Sequence, residues 1–159
     1  MRLIRFISII LISILIYLLL GCTNNNIQVS NNPENNKKME VTINSEISEY
    51  SPLMSSTPGI PLTIKFKSEE TKSNMKFHWI TEQGTFLNWE KDKGKINVLG
   101  NDIKVNDQKV YWSIDPNSKI NKSSFKIYLK IEDSNTSKEI SQTSIEVRQN
   151  KEGIFSIKE

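Results

Sequence analysis

The sequence predicts an all-β protein whose folded part is an antiparallel β-sandwich, and three observations indicate this class. Large apolar side chains recur at every second position in several short segments, which is the period of a strand with one buried face. Turn-forming clusters separate these segments at roughly 8–12-residue spacing, as is typical of sandwiches. After residue 38, no stretch keeps an apolar stripe with the 3.6-residue period of a helix.

Residues 1–21 are predicted to be an export signal. Arg2 and Arg5 precede an almost entirely apolar run from Phe6 to Leu20. As a helix this run extends roughly 22 Å, which is short of the ~30 Å hydrocarbon core of a bilayer. A basic start followed by a short apolar core is the pattern of a signal peptide. The alternative is an uncleaved signal anchor that spans a locally thinned membrane.

The segment Leu19-Leu20-Gly21-Cys22 contains the only cysteine of the chain. It resembles the lipobox of bacterial lipoproteins, in which a small residue precedes a cysteine that carries diacylglycerol. The resemblance implies cleavage between Gly21 and Cys22, lipidation of the Cys22 thiol, and a lipid bilayer as partner on the extracytoplasmic side of the cell membrane. An exported chain with one cysteine cannot form an internal disulfide, which agrees with a lipidated thiol.

Residues 22–38 are predicted to be a lipidated tether. Half of the residues in 23–36, TNNNIQVSNNPENN, are asparagine, and few are large and apolar. Such a stretch buries too little surface to offset the entropy of ordering it. Removal of the signal also removes Arg2 and Arg5, so the formal charge falls from +3 to about +1. The mature chain therefore has no basic excess that would favour a nucleic-acid partner.

Residues 39–159 are predicted to form one domain. Trp79, Trp112 and Phe125 take inward positions in the alternating pattern, whereas Tyr111 and Tyr128 take outward positions. The alternating segments are PLTIKF (61–66), MKFHWI (75–80), KVYWSI (109–114), FKIYLKIE (125–132) and SIEVRQ (144–149).

Polar breaks between these segments predict turns. Asn106-Asp107 in particular predicts a tight hairpin, because both residue types tolerate positive φ. The breaks are STPG (56–59), SEETKSN (68–74), DKG (92–94), ND (106–107), DPNSKINKS (115–123) and EDSNTSK (132–138).

The stretch FKIYLKIEDSNTSKEISQTSIEVRQ (125–149) resembles the last two strands of immunoglobulin-like or PKD-like extracellular modules. Trp79, two residues after Phe77, resembles the core tryptophan of the third strand of such domains. The paired cysteines of antibody domains are missing, and Phe125 stands where many relatives have Tyr. The resemblance implies a single immunoglobulin-like β-sandwich.

The residues that could support catalysis or metal binding do not form a recognisable pattern. His78 is the only histidine, so a cage of several histidines is excluded. Asp115 and Asp133 lie in segments with hard oxygen ligands, as in Ca²⁺ loops, but EF-hand spacing is absent and Asx-turns are the more typical outcome. We therefore expect no enzyme activity, no cofactor and no metal.

Exposed aromatic side chains are the remaining candidates for ligand contacts. Trp89, Tyr111 and Tyr128 could anchor a partner, because aromatic residues with polar rims often do. The alternative for Trp89 is a side chain that covers the edge of the sandwich. The resulting hypothesis is a membrane-anchored bacterial lipoprotein whose immunoglobulin-like domain binds an unknown protein or polymer of the cell envelope. A structural or accessory subunit of a membrane complex is the alternative.

Overall fold

A computed structural model describes residues 39–67 and 74–158. The expected signal peptide, Cys22 and the tether lie outside the described residues, as does nearly all of the turn expected at 68–74. Within the described ranges the chain forms strands β1 (Val41–Ser45), β2 (Glu49–Tyr50), β3 (Ile60–Phe66), β4 (Met75–Thr81), β5 (Thr85–Glu90), β6 (Lys95–Gly100), β7 (Asp102–Val105), β8 (Lys109–Ser113), β9 (Ser124–Asp133), β10 (Glu139–Gln149) and β11 (Phe155–Lys158), with a 3₁₀ turn at Lys91–Lys93.

The strands form two antiparallel sheets that pack face to face. Sheet A has the strand order β1-β3-β8-β5-β6, and sheet B has the order β2-β11-β10-β9-β4-β7. Buried apolar residues from both sheets form one core cluster. This architecture confirms the predicted all-β antiparallel sandwich and is consistent with an immunoglobulin-like fold.

The core consists of the inward residues of the alternating segments. Trp79 and Trp112 are fully buried, and Phe125 is 2% exposed, so all three predicted core aromatics are confirmed. The ring of Trp112 packs against Phe125 and Phe155 with centroid distances of 5.2 Å in both cases. Trp79 packs against Phe86 at 6.0 Å. These contacts join the two sheets, because Trp112 and Phe86 belong to sheet A and the others to sheet B.

The turn before β5 closes over one of these tryptophans. The indole Nε1 of Trp112 donates a hydrogen bond to the backbone oxygen of Gln83 at 2.8 Å. Gly84 has a φ of 79°, and a Cβ atom there would lie 2.6 Å from the same Nε1. Glycine is therefore required by both the backbone conformation and the close approach of the indole ring.

The hairpin expected at Asn106-Asp107 is wrong. β7 pairs with β4 in sheet B, whereas β8 pairs with β3 and β5 in sheet A, so this turn crosses from one sheet to the other. Ile103 of β7 lies opposite Trp79 of β4 and is 7% exposed. β7 thus buries its apolar side chain beside Trp79, and this long-range contact overrides the local preference of the turn for a hairpin.

Candidate functional site

The outer face of sheet A carries a row of apolar side chains across neighbouring strands. Tyr111 of β8 lies opposite Pro61 of β3 on one side and Leu87 of β5 on the other. Leu87 in turn lies opposite Val98 of β6. Residues directly opposite each other point to the same face of a sheet, and Tyr111 points outward because its neighbours in β8 point into the core. Pro61 and Leu87 are nevertheless buried, so this face is packed locally.

Trp89 extends this row toward the end of β5. It lies opposite Ile96 of β6, and its ring meets the ring of Tyr111 edge-on with centroids 5.5 Å apart. The Nζ atom of Lys91 lies 5.9 Å from the centroid of Trp89. We call the outer surface of sheet A around Trp89 and Tyr111 the aromatic face. The structure therefore brings two of the three candidate contact residues together.

Lys109 adds a positive charge to the aromatic face. Its Nζ atom lies 5.5 Å from the centroid of Tyr111 and 3.1 Å from Oε1 of Glu46. Desolvation acts to lower the pKa of Lys109, but the hydrogen bond to Glu46 and the interactions with Glu46 and Tyr111 outweigh it and raise this pKa above its ordinary value. Lys109 is therefore a permanent cation at neutral pH and holds the Tyr111 ring from one side.

A groove of about 580 Å³ runs along the aromatic face. Its floor includes Thr85 and Leu87 of β5, and β6 forms one side. The opposite side is formed by the segment 52–58 and by residues 113–116. The apolar residues that line the groove are Pro52, Pro58, Leu87, Trp89, Ile96, Val98, Ile114 and Pro116. Polar residues complete the lining of this open groove: Tyr50, Ser55, Ser56, Thr57, Thr85, Ser113 and Asp115. A groove that combines apolar and polar groups can accommodate a partner.

Tyr50 holds the loop that forms the far wall of the groove. Its Oη atom donates to the backbone oxygen of Pro58 at 3.1 Å and lies 2.9 Å from Oγ of Ser113. Burial raises the pKa of the Tyr50 hydroxyl, so the hydroxyl stays protonated and can donate this hydrogen bond. The tip of the loop exposes Leu53 (81%) and Met54 (86%) to solvent. The loop thus presents apolar side chains from an anchored base.

Tyr128, the third candidate, lies on the opposite side of the sandwich. It belongs to β9 in sheet B, opposite Ile80 of β4 and Ser144 of β10. Its hydroxyl donates to Oε1 of Glu82 at 3.1 Å, and this hydrogen bond is the main reason why the pKa of Tyr128 is raised. Tyr128 therefore contributes nothing to the aromatic face, and the three candidates do not form one surface.

His78 lies on the outer face of sheet B, as its position in the alternating pattern predicts. Its Nε2 atom lies 2.6 Å from Oδ1 of Asp102, and its Nδ1 atom lies 3.3 Å from Oε1 of Glu132. The second carboxylate oxygen of Glu132 accepts from Nζ of Lys104 at 2.7 Å. The hydrogen bond from Lys104 is the main reason why the pKa of Glu132 is lowered, and the hydrogen bond with His78 lowers this pKa further. This network ties together β4, β7 and β9.

The two acidic turns are Asx-turns. Oδ1 of Asp115 accepts from the backbone N–H of Asn117 at 2.8 Å, and Oδ1 of Asp133 accepts from that of Asn135 at 3.0 Å. Their carboxylates thus accept hydrogen bonds within the turns.

Over residues 39–67 and 74–158, no group of three or more His, Cys, Asp or Glu side chains could hold a metal ion. The same residues contain no helix that is long and apolar enough to cross a membrane.

Sequence reasoning missed the strand that completes the groove. Ile96 and Val98 of β6 lie on the aromatic face, and KINVLG (95–100) carries a weak alternating signal that predicts this. Leu87 lies two residues before Trp89 in TFLNWE (85–90), so both side chains point to the same outer face.

Comparison with protein families, with curated proteins and with solved structures gives no match to this chain.

Proposed function

We propose that this chain is a membrane-anchored bacterial lipoprotein whose β-sandwich acts, without catalysis, as a binding module at the cell envelope. The observation that carries the proposal is the groove on the aromatic face, where apolar side chains are open to solvent beside Trp89. Exposed apolar side chains beside a concave surface gain free energy when a partner covers them. The partner is a protein or a polymer of the envelope.

The resemblance of residues 19–22 to a lipobox supports an extracytoplasmic location. The sequence around Cys22 resembles a lipobox, and a diacylglycerol on its thiol provides two acyl chains. One acyl chain binds a membrane only marginally, whereas two give stable anchoring. A domain held in this way meets its partners at the membrane surface, so even modest affinity leads to a populated complex.

The lipid anchor is tested by metabolic labelling with palmitate. We expect label in the wild-type chain and none in Cys22→Ser, which should also accumulate as uncleaved precursor. The variant Thr23→Ala, which keeps the thiol, serves as the control. Equal labelling of Cys22→Ser and wild type would rule out lipidation at this position.

The binding role is tested by chemical cross-linking on intact cells followed by mass spectrometry. Trp89→Ala should remove the main cross-linked partner, because an aromatic anchor contributes about 2 kcal/mol or more to binding. Tyr128→Ala, on the opposite sheet, should leave that partner in place. If both variants keep the full set of cross-links, the aromatic face is not the binding surface, and the domain fits a structural or accessory subunit better.

A further inference from the structure

The groove on the aromatic face holds one negative charge, which lies at one end. Asp115 is the only charged residue among those that line the groove, and it is exposed. Its Oδ1 atom accepts from the backbone N–H of Asn117, but its carboxylate forms no ion pair within the described part of the chain. The lysines of the same loop, Lys119 and Lys122, do not line the groove. This end therefore offers a carboxylate to a ligand.

The other end of the groove carries a positive charge. Trp89 lines this end, and the Nζ atom of Lys91 lies 5.9 Å from the centroid of its ring. Lys93 in the same turn forms an ion pair with Glu90 at 2.8 Å, whereas Lys91 forms none with any described residue. Residues 90–95 include three lysines and two carboxylates, so the turn as a whole has an excess of one positive charge.

An apolar floor separates the two charges. Thr85, at the start of β5, lies opposite Ser113 near the carboxylate, and Trp89 lies near the end of the strand. At about 3.3 Å per residue, the distance from Thr85 to Trp89 is about 13 Å. Leu87 lies between them, opposite Val98, which is 71% exposed. The groove thus has opposite charges at its two ends and aliphatic side chains in the middle.

We propose that the groove binds an extended and mainly apolar segment of another protein, with a basic residue at one end and an acidic residue at the other. The basic residue pairs with Asp115, and the acidic residue pairs with Lys91. Hydroxyl groups both donate and accept hydrogen bonds, so Ser56 and Thr57 can serve the backbone of the segment. This inference rests on the proposed binding function and specifies the class of the partner.

Charge complementarity favours a protein segment over a polymer of the envelope. A uniformly anionic polymer would place negative groups beside Asp115, and like charges that meet across an interface are unfavourable. A neutral glycan would leave Asp115 and Lys91 without partners and has no aliphatic side chains to cover Val98. A protein segment supplies both signs of charge and apolar side chains in one chain.

The test compares three peptides on the full chain in membranes of cells that express it. A photoreactive amino acid replaces Ser56, and the yield of cross-linked peptide is measured at several peptide concentrations. The peptides are Lys-Leu-Thr-Val-Leu-Glu, biotinylated at the N-terminus and amidated at the C-terminus, and two versions of it with lysine or with glutamate at both ends. An exposed charge pair is worth up to about fivefold in affinity, so the first peptide should bind roughly three- to tenfold more tightly than the others.

Two substitutions that each remove one charge should shift this preference in opposite directions. Asp115→Asn keeps a side-chain oxygen for the N–H of Asn117, and Lys91→Met keeps the aliphatic stem beside Trp89. Asp115→Asn should weaken binding of the dilysine peptide and strengthen that of the diglutamate peptide, by roughly three- to fivefold each. Lys91→Met should do the reverse, whereas damage to the fold would weaken all three peptides alike. Lys119→Met, which removes a charge outside the groove, is the matched control and should leave the preference unchanged.

The proposal is overturned if the three peptides cross-link equally, if none of them cross-links, or if the two substitutions do not shift the preference in opposite directions. Displacement of the Lys–Glu peptide by polyphosphate or by chitohexaose at a lower concentration than by the unlabelled peptide also overturns it, because the groove would then favour a polymer. A partner that Trp89→Ala removes from the cross-links on intact cells, without any peptide preference, would leave the binding function standing and refute only this class of ligand.

Discussion

Tyr111 and Trp112 are neighbours in β8, and they lie on opposite faces of sheet A. Trp112 is fully buried and donates a hydrogen bond to Gln83, whereas Tyr111 lies on the aromatic face beside Trp89. We expect Trp112→Ala to lower the free energy of unfolding by about 3–5 kcal/mol. Tyr111→Ala should lower it by only about 0.5–1.5 kcal/mol, the value of a lost aromatic pair.

Chemical denaturation of the two variants measures this difference directly. A domain of this size has about 5–15 kcal/mol of stability in total, so Trp112→Ala should be partly unfolded near body temperature. Should Tyr111→Ala prove the more destabilising change, the strand would be in the register shifted by one residue, and the aromatic face would be a core face.

Glu132 makes the stability depend on pH in the acid range. Its pKa is lowered in the folded chain by Lys104 and by His78. The folded state therefore binds fewer protons at this group than the unfolded state. This contribution to stability is fully present above the ordinary glutamate pKa of about 4.3, and it is lost as the pH falls through the lower folded-state value.

Removal of Lys104 should therefore make the free energy of unfolding depend less on pH in the acid range. We expect Lys104→Met to lose stability at neutral pH and to approach the wild type as the pH falls through the lowered folded-state pKa of Glu132, where the carboxylate becomes protonated. Lys130→Met is the matched control, since Lys130 lies opposite His78 on the same face. Urea unfolding at neutral pH and at a pH below that lowered pKa tests this prediction. If Lys104→Met loses the same free energy of unfolding at both pH values, the prediction is contradicted.

At the scale of elements, the longest hairpin depends on one carboxylate. Oδ1 of Asp133 accepts hydrogen bonds from the N–H groups of Asn135 and Thr136 and from the hydroxyl of Thr136, at 2.9–3.0 Å. Asp133→Ala should cost about 1–2 kcal/mol, because these donors lose a charged acceptor at the turn between β9 and β10. Asn135→Ala keeps its backbone donor and should be nearly neutral. Thermal melts of the two variants test this prediction. Equal melting temperatures for Asp133→Ala and Asn135→Ala would show that the turn does not depend on Asp133.

The elements also show how far the sequence could predict the structure. Period-two alternation predicted the core of β3, β4, β8, β9 and β10 correctly, because one buried face imposes that period on any half-buried strand. It could not predict which sheet a strand joins, and the turn at 106–107 shows why. Pairing of β7 depends on the burial of Ile103 beside Trp79, which is distant in sequence.

The candidate site was predictable only in part for the same reason. Alternation correctly gave the outward directions of Tyr111 and Tyr128, but a strand pattern does not reveal which sheet carries each one. Tyr111 meets Trp89 because β5 and β8 are neighbours in sheet A, whereas Tyr128 belongs to sheet B. The groove also needs β6 and the loop that Tyr50 anchors, and neither carries a strong local signal.

At the scale of the whole domain, the two outer faces differ in chemistry. The outer face of sheet A has a groove lined by Trp89 and aliphatic side chains together with serine and threonine residues. The outer face of sheet B presents charged side chains that pair with each other, including Lys104 with Glu132 and Arg148 with Glu146. Paired surface charges are satisfied within the domain, whereas open apolar side chains gain free energy when a partner covers them. This contrast supports the proposal that sheet A carries the binding surface.

Photo-cross-linking from the two faces is the most direct test of this assignment. A photoreactive amino acid replaces Ser56, which lines the groove away from β6, or Lys126, which is exposed on sheet B. On intact cells, the probe at position 56 should link the chain to a molecule other than a second copy, and Trp89→Ala in the same chain should abolish that product. The probe at position 126 should not yield it. The same product from both positions, or from position 126 alone, would contradict a binding module that acts through the aromatic face.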